Sequence, residues 1–225
     1  GLNIDPIVVV QKAVPGLYSD ISSVEIDTYL AETAAALTVE HPDYSYLAAR
    51  IKVNSLHKET PGFIIATKNL YDDGLLREDY YKKVIENADL IESVIDYDKD
   101  YTFDYFALTT LIRAYLLKFD NKTIERPQDL WMRVTLTVTG SEFNLDKIKE
   151  TYKSLSTGMY THATPTLFNS GLKMQQLSSC FLIGMEDDSI EGIFNTIKDC
   201  ALISKTAGGI GMHAHNIRGS GSRIK

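Results

Sequence analysis

The sequence predicts an α/β protein in which a mainly helical N-terminal region leads into a strand–helix unit. Helix start signals recur early: Pro6 opens an apolar stretch, Ser22 and Glu25 have capping-box spacing, and Pro42 stands at a first helical position. Near residue 176 the pattern changes to a short apolar run followed at once by the apolar stripe of another helix. The first observation predicts the helical region and the second predicts the α/β unit.

The middle of the chain is divided by turn signals. Pro61 and Gly62 lie in a polar stretch and indicate a boundary near residue 60. Residues 115–126 are typical of a hairpin turning at residues 119–122. Residues 130–138 hold β-branched side chains in a helix-like context, so propensity leaves helix and strand both open there.

The last third carries the α/β unit. Residues 176–185 predict a strand of the kind that is buried on both faces. The following helix is expected to start at Asp188, paired with Glu191 in a capping arrangement, and to end at Gly208 and Gly209. The expected division is 1–58, 59–156 and 157–225.

Composition excludes several classes of function. The 225 residues are 44% hydrophobic and 24% charged, as in folded globular chains, and the net charge of −7 argues against a nucleic acid polymer as partner. No apolar run approaches the roughly 20 residues needed to span a bilayer, and the N-terminus does not resemble a signal peptide. Two cysteines are too few for a disulfide framework, which favours a reducing, cytoplasmic location.

Cys180 is the first candidate for chemistry. A lone cysteine is more often a buried core thiol, but two serines precede it and the glycine-rich run 207–211 follows the next helix, where a phosphate could approach the backbone. Cys200 is interpreted as a packing residue. Both readings of Cys180 stay open on these grounds.

Asp188 and Arg218 are the next candidates. Asp188 is either a helix N-cap or an acceptor for sugar hydroxyls, and Arg218 is either a solvated loop charge or a phosphate clamp. His213 and His215 have no further ligands at metal-binding spacing, so no metal site is predicted.

Four motifs together resemble the large subunit of class I ribonucleotide reductases, most closely the eukaryotic and viral branch. They are HPDY at 41–44 with LAAR at 47–50, ERPQ at 125–128, THATPTLFN at 161–169, and QLSSCFL at 176–182 continuing through DDSIEG at 187–192. The resemblance implies that 157–225 opens a ten-stranded α/β barrel. It implies an oxidoreductase that makes deoxyribonucleotides for DNA replication, with Cys180 as one half of a redox-active thiol pair.

The resemblance also implies binding residues. Thr164, Ser179 and the backbone amide of Gly209 correspond to contacts of the ribonucleoside diphosphate substrate. Three further residues match the specificity site for a deoxynucleoside triphosphate or ATP at a homodimer interface formed by helix 189–207: Asp188, Lys205 and Arg218. Residues 1–58 resemble the latter part of an ATP-cone, with nucleotide contacts at Ser23, Asp27 and Lys58.

Further components are implied outside these residues. The chain itself is expected to bind no cofactor or metal. A di-metal radical cofactor would belong to a separate small subunit, the partner thiol to the remainder of the large subunit, and thioredoxin or glutaredoxin would be the reductant. The chain is thus expected to be inactive alone, as a fragment or one half of a split subunit, and a partial barrel would leave apolar faces uncovered.

Two rival functions remain. One is a regulatory module that binds nucleotides without chemistry, in which Cys180 is inert. The other is a glycine-loop phosphate binder of another fold.

Overall fold

The computed structural model of the chain describes residues 1–223. These residues form two compact units, Gly1–Tyr160 and Thr161–Lys225, the second described as far as residue 223. The first unit is helical apart from one small hairpin, and the second contains a parallel strand–helix–strand arrangement. The predicted class, a mainly helical region followed by an α/β unit, is confirmed.

The first unit is built from helices joined by short turns. Its helices are α1 (Pro6–Ala13), α2 (Ser23–Ala36), α3 (Asp43–Glu59), α4 (Phe63–Asp72), α5 (Glu78–Glu86), α6 (Ala88–Glu92), α7 (Tyr105–Thr110), α8 (Pro127–Val138) and α9 (Leu145–Ser156). 3₁₀ turns lie at Val14–Gly16, Leu37–Val39 and Tyr97–Thr102, and a π-helical turn at Leu111–Tyr115 extends α7. Throughout residues 1–223, no helix is both long enough and apolar enough to cross a lipid bilayer.

Helix α2 begins where the capping signal predicts. The Ser22 hydroxyl accepts a hydrogen bond from the Glu25 amide at 3.2 Å, and the Glu25 carboxylate accepts one from the Ser22 amide at 3.0 Å. These reciprocal bonds satisfy two backbone donors that the first turn would otherwise leave unpaired. The predicted capping box is confirmed.

Helix α3 is the central element of the first unit because two opposite faces of it are buried. Tyr44 and Ala48 pack with α1 and α2, whereas Ala49 and Val53 pack with Leu108 of α7. The expected boundary at residue 58 falls one residue before the end of this helix.

The predicted hairpin is present between α7 and α8. Strand β1 (Lys118–Phe119) pairs antiparallel with β2 (Lys122–Thr123). The two turn residues, Asp120 and Asn121, have φ values of 48° and 60°. Asp and Asn tolerate this left-handed conformation better than other non-glycine residues, which fits the two-residue turn to the twist of the strands.

The segment left open between helix and strand is the helix α8. It is buried along nearly its whole length, and its polar residues Gln128, Asp129 and Arg133 lie inside the unit. Pro127 occupies the first helical position, where its missing amide costs nothing. Burial on all sides removes the amphipathic signal that would have identified the helix from the sequence.

The second unit contains α10 (Thr164–Asn169), β3 (Cys180–Gly184), α11 (Ile190–Ser204) and β4 (Gly209–His213). Strands β3 and β4 pair in parallel, with Cys180 opposite Gly209 and Gly184 opposite His213. Parallel neighbours need a crossover connection, and α11 supplies it.

Two expectations about this unit are wrong. Helix α11 is capped by Ser189, whose hydroxyl accepts from the Gly192 amide at 3.0 Å, and not by Asp188. The helix ends at Ser204, before Gly208 and Gly209. A Cβ on Gly208 would lie 2.7 Å from Ile203 and 2.9 Å from Phe181, so this glycine is required by packing and not by the helix end.

Strand β3 also differs from the expected strand buried on both faces. Leu182 at its centre is 93% exposed, while its neighbours Phe181 and Ile183 on the other face are partly covered. Among the described residues β3 pairs with β4 alone. One face of this two-stranded sheet is therefore open, as expected of a partial barrel.

Candidate functional site

The Cys180 side chain is an exposed free thiol at the first position of β3. The interpretation of Cys180 as a buried core residue is therefore wrong for this chain. Cys200, which lies on α11, is partly covered and also free. An exposed thiol at the end of a strand is accessible to a substrate or to another thiol.

Gly209 lies directly beside Cys180 in the parallel pair. A Cβ on Gly209 would lie 3.9 Å from the Cys180 sulfur and 3.2 Å from the Ser179 carbonyl oxygen, so the missing side chain leaves room next to the thiol. The Gly209 amide donates to the Ser179 carbonyl at 2.7 Å. The Gly209 amide, which was expected to face diphosphate oxygens, therefore donates within the sheet instead. Ser179 itself is exposed.

Thr164 opens the short helix α10 in the same unit and is half-buried. Burial lowers the pKa of the nearby His162 imidazole, which favours its neutral form. At the other end of α10, the side-chain amide of Asn169 donates to the carbonyl of Gln176 at 2.8 Å. This helix thus connects the Thr164 motif to the segment that precedes Cys180.

Asp188 and Arg218 meet in the second unit although they are 30 residues apart. The Arg218 guanidinium binds one carboxylate oxygen of Asp188 through Nε and the Asp188 backbone carbonyl through Nη2 at 2.8 Å. The other carboxylate oxygen, Oδ1, is buried and accepts no hydrogen bond from the described residues. A buried acceptor without a donor is costly, and a ligand hydroxyl would satisfy it.

Lys205 does not join this pair. It is exposed at the C-terminal end of α11, whereas Asp188 immediately precedes the cap at the other end. The intervening helix of 15 residues is about 22 Å long at 1.5 Å per residue. Lys205 and the Asp188–Arg218 pair therefore lie at opposite ends of α11 within one chain.

Helix α11 also presents an uncovered apolar stripe. Ile190, Phe194 and Ile197 are 63%, 65% and 50% exposed, and their spacing places them on one face. These three side chains are therefore not part of a core formed by the described residues. Exposed apolar surface of this kind is typical of an interaction site.

In the first unit, the structure brings two of the three cone-like residues together. The Lys58 ammonium contacts the Asp27 carboxylate at 3.0 Å. Asp27 also lines a pocket of about 460 Å³. Ser23 lies one turn earlier on the same face of α2, four residues from Asp27.

The same pocket is lined by two lysines that sequence reasoning did not single out, Lys52 and Lys122. Lys52 lies on α3, on the face that carries Ser55 and Glu59 at helical spacing, so this position was recognisable in principle. Lys122 comes from the hairpin, and no local signal predicts that it reaches this pocket. Together they supply positive charge next to the Asp27–Lys58 pair.

Within residues 1–223, no group of three or more His, Cys, Asp or Glu side chains is arranged to hold a metal ion. His213 and His215 contact each other through their Nδ1 atoms at 2.6 Å, at the exposed end of β4. These atoms lie within hydrogen-bond distance, and the tautomers of the two rings decide which of them donates.

Comparison with known families defines the class of protein. Residues 101–175 match the family described as ribonucleotide reductase, all-alpha domain, and residues 178–225 match ribonucleotide reductase, barrel domain. The junction between the two matches lies just before β3, where the helical part of the chain gives way to the parallel strands.

Individual relatives extend the similarity over the whole chain. The chain is 45% identical to the ribonucleoside-diphosphate reductase large chain of Schizosaccharomyces pombe over 99% of its length, covering 28% of that protein. It is 45% identical to the Arabidopsis thaliana large subunit over 98% of its length and 46% identical to that of Variola virus over its full length, covering 28% and 30% of them. The chain belongs to the ribonucleotide reductase large-subunit family, and it spans less than a third of these relatives.

Proposed function

We propose that this chain acts as part of a ribonucleoside-diphosphate reductase, an oxidoreductase that converts ribonucleoside diphosphates to deoxyribonucleoside diphosphates. The observation that carries the proposal is the exposed Cys180 thiol, held at the start of β3 beside Gly209. Since the chain covers about 28% of its relatives, the activity belongs to an assembly that includes the remainder of a large subunit.

The proposed role of Cys180 is to deliver reducing equivalents. Together with a second thiol from the remainder of the large subunit, it gives up two electrons and two protons and becomes half of a disulfide. The substrate loses its 2′ oxygen as water and gains a hydrogen at that carbon, so the reaction is balanced. Thioredoxin or glutaredoxin would then reduce the disulfide by thiol exchange.

Substrate contacts are proposed for Thr164, Ser179 and Gly209. The exposure of Ser179 and the open space at Gly209 support an approach of the substrate along this edge of the sheet. Because the Gly209 amide already donates to Ser179, we assign Gly209 to steric access and the two hydroxyls to hydrogen bonding.

A triphosphate effector site is proposed at Asp188, Lys205 and Arg218. The buried Asp188 Oδ1 supports binding of a sugar hydroxyl, and the guanidinium and ammonium groups suit phosphates. The separation along α11 requires Lys205 to come from a second copy of the chain. The exposed stripe of α11 supports the same conclusion, because two copies would bury it against each other in a homodimer.

An ATP site is proposed for the first unit at Ser23, Asp27 and Lys58, as the retained part of a cone-like region over residues 1–58. The pocket of about 460 Å³ beside Asp27 and its lysines support an anionic ligand. A phosphate entering there would compete with Asp27 for Lys58, which gives ligand binding a direct effect on the end of α3.

The proposal includes a separate small subunit, which supplies the radical through its di-metal cofactor. Free thiols fit a reducing, cytoplasmic location. Residues 59–156 would then link the cone-like region to the barrel, which residues 157–225 begin.

The deciding experiment replaces Cys180 by Ser in the assembled enzyme and measures CDP reduction together with triphosphate binding. We expect turnover to be lost and effector binding to be retained. Cys200→Ser is the matched control, expected to keep turnover. Unchanged turnover in Cys180→Ser would refute the redox role.

A regulatory module without chemistry is the second candidate. It is favoured by one observation: the Asp188–Arg218 and Asp27–Lys58 pairs contain no thiol, and the Asp27–Lys58 pair belongs to the other unit. Unaffected turnover in Cys180→Ser, with loss of effector control in Asp188→Asn, would select this function.

A further inference from the structure

The side-chain amide of Asn169 connects two segments of the second unit that are distant in sequence. Its Nδ2 atom donates to the Gln176 carbonyl at 2.8 Å and to the Thr206 carbonyl at 3.4 Å. Gln176 lies four residues before Cys180, and Thr206 lies three residues before Gly209. The amide therefore holds the chain segments that lead into β3 and β4.

Neighbouring side chains strengthen the same connection. The Gln176 side chain accepts from the Ser178 amide and places its own Nε2 3.5 Å from the Thr206 hydroxyl. The Thr166 hydroxyl, on the same helix as Asn169, donates to the Leu177 carbonyl at 3.1 Å. We call these contacts, made by Thr166, Asn169 and Gln176, the α10 clamp.

The α10 clamp ends where the strand pairing begins. The first bond between the two strand segments is from the Gly209 amide to the Ser179 carbonyl at 2.7 Å, next to Cys180. Only three or four residues separate the clamp from Cys180 and Gly209, so a shift of the clamp acts on the segments adjacent to both residues. The position of the thiol relative to Gly209 thus depends on the clamp.

The chemistry of position 169 is restrictive. An uncharged amide offers two N–H donors from one nitrogen, which is what two converging carbonyls require. Serine would supply a single donor, and aspartate would supply none while placing negative charge against both oxygens.

We propose that Asn169 is a positioning residue for the Cys180 thiol, acting through the carbonyls of Gln176 and Thr206 to set where the sulfur lies beside Gly209. The proposal rests on the proposed function of Cys180 in reduction. A thiol displaced by about 1 Å from its reacting partner loses rate on the order of a hundredfold, so loss of the clamp acts on turnover and not on fold alone.

The test compares Asn169→Asp with Asn87→Asp in the assembled enzyme. Asn87 is the matched control because its side-chain amide also donates to a backbone carbonyl, that of Lys83 at 2.9 Å, in the first unit. Three properties are measured for each variant: kcat and KM for CDP, protection of Cys180 from iodoacetamide by CDP with Cys200 as internal reference, and triphosphate binding.

We expect Asn169→Asp to lower kcat/KM by at least about tenfold and to abolish protection of Cys180, with triphosphate binding unchanged. Asn87→Asp should change neither kinetics nor protection. Equal kinetics and protection in the two variants, with only a shared loss of stability, would overturn the proposal.

Two further arms separate the possible failures. If Asn169→Asp does not fold, Asn169→Ser keeps one donor and should show an intermediate loss; wild-type kinetics and protection in that variant would also overturn the proposal. Cys180→Ser, assayed beside them, tests the proposed function itself. Full turnover in Cys180→Ser refutes the redox role, whereas lost turnover there with unchanged Asn169 variants refutes the positioning role alone.

Discussion

Each unit of the chain contains an arginine–carboxylate pair, and the two pairs differ in their surroundings. In the first unit, Arg133 and Glu125 lie 2.5 Å apart with side chains only 2% and 3% exposed. In the second, the Arg218 and Asp188 side chains are 25% and 20% exposed. The Arg133–Glu125 pair is fully buried. The Arg218–Asp188 pair is accessible enough for a ligand to replace one of the two side chains.

Apolar side chains show the same contrast. Leu108 of the first unit is fully buried, and Leu182 of the second is 93% exposed. These two leucines, like the two ion pairs, contrast a packed position in the first unit with an open one in the second, which also has its free Cys180 thiol at the surface. Among the described residues β3 pairs with β4 alone, so the second unit has no further strand to cover Leu182, which accounts for the difference.

The largest effect is expected from breaking the buried pair. Arg133→Met leaves Glu125 as an uncompensated buried charge and should lower the free energy of unfolding by about 3–5 kcal/mol. The matched change Arg218→Met, at an accessible pair, should cost less than about 1 kcal/mol. Urea denaturation of both variants measures the difference, and similar losses would contradict the comparison.

Matched truncations of two leucines come next. Leu108→Ala removes fully buried methyl groups and should cost about 2–5 kcal/mol. Leu182→Ala removes exposed ones and should change the stability of the chain by less than about 0.5 kcal/mol. A large loss in Leu182→Ala would show that this face is covered in solution, for example by a second copy.

The buried carboxyl of Asp129 predicts an unusual pH dependence. Burial raises its pKa to about 7, against the hydrogen bonds from the Tyr97 hydroxyl and the Arg126 amide that lower it. The folded state therefore binds a proton that the unfolded state has released. This contribution is fully present below pH about 4 and is lost as the pH rises to about 7, at no more than about 1.4 kcal/mol per pH unit.

The measurement is the free energy of unfolding from pH 4 to 8 for the wild type and Asp129→Asn. Since Asn does not titrate, the difference between the two proteins should shrink as the pH rises and level off above 7. A difference that stays constant across this range would show that Asp129 is ionised throughout.

The smallest effects concern helix starts. Ser22→Ala in the first unit and Ser189→Ala in the second should each cost about 1 kcal/mol, because each removes an acceptor for a free backbone amide. Thermal unfolding of the two variants measures these losses, and an unchanged melting temperature in Ser189→Ala would contradict the assignment of Ser189 as the cap of α11.

The sequence by itself determined the elements whose signals are local. The Ser22 capping box and the turn at Asp120 and Asn121 depend on contacts within a few residues, and both are present in the structure. The order of helical region and α/β unit follows from the same periodicities. Short-range steric effects and hydrogen bonds depend on residues that are close in sequence, so the sequence alone can specify them.

Only the tertiary structure decided which segments are buried and which side chains form hydrogen bonds with residues distant in sequence. Residues 130–138 became helix because they are buried on all sides, where periodicity carries no signal. Ser189 and not Asp188 caps α11, and Asp188 instead binds Arg218, 30 residues later in the sequence. Asn169 donates to the carbonyl of Thr206, which is 37 residues away. Such pairings depend on how distant segments pack, and burial, which gives them their energy, exists only after folding.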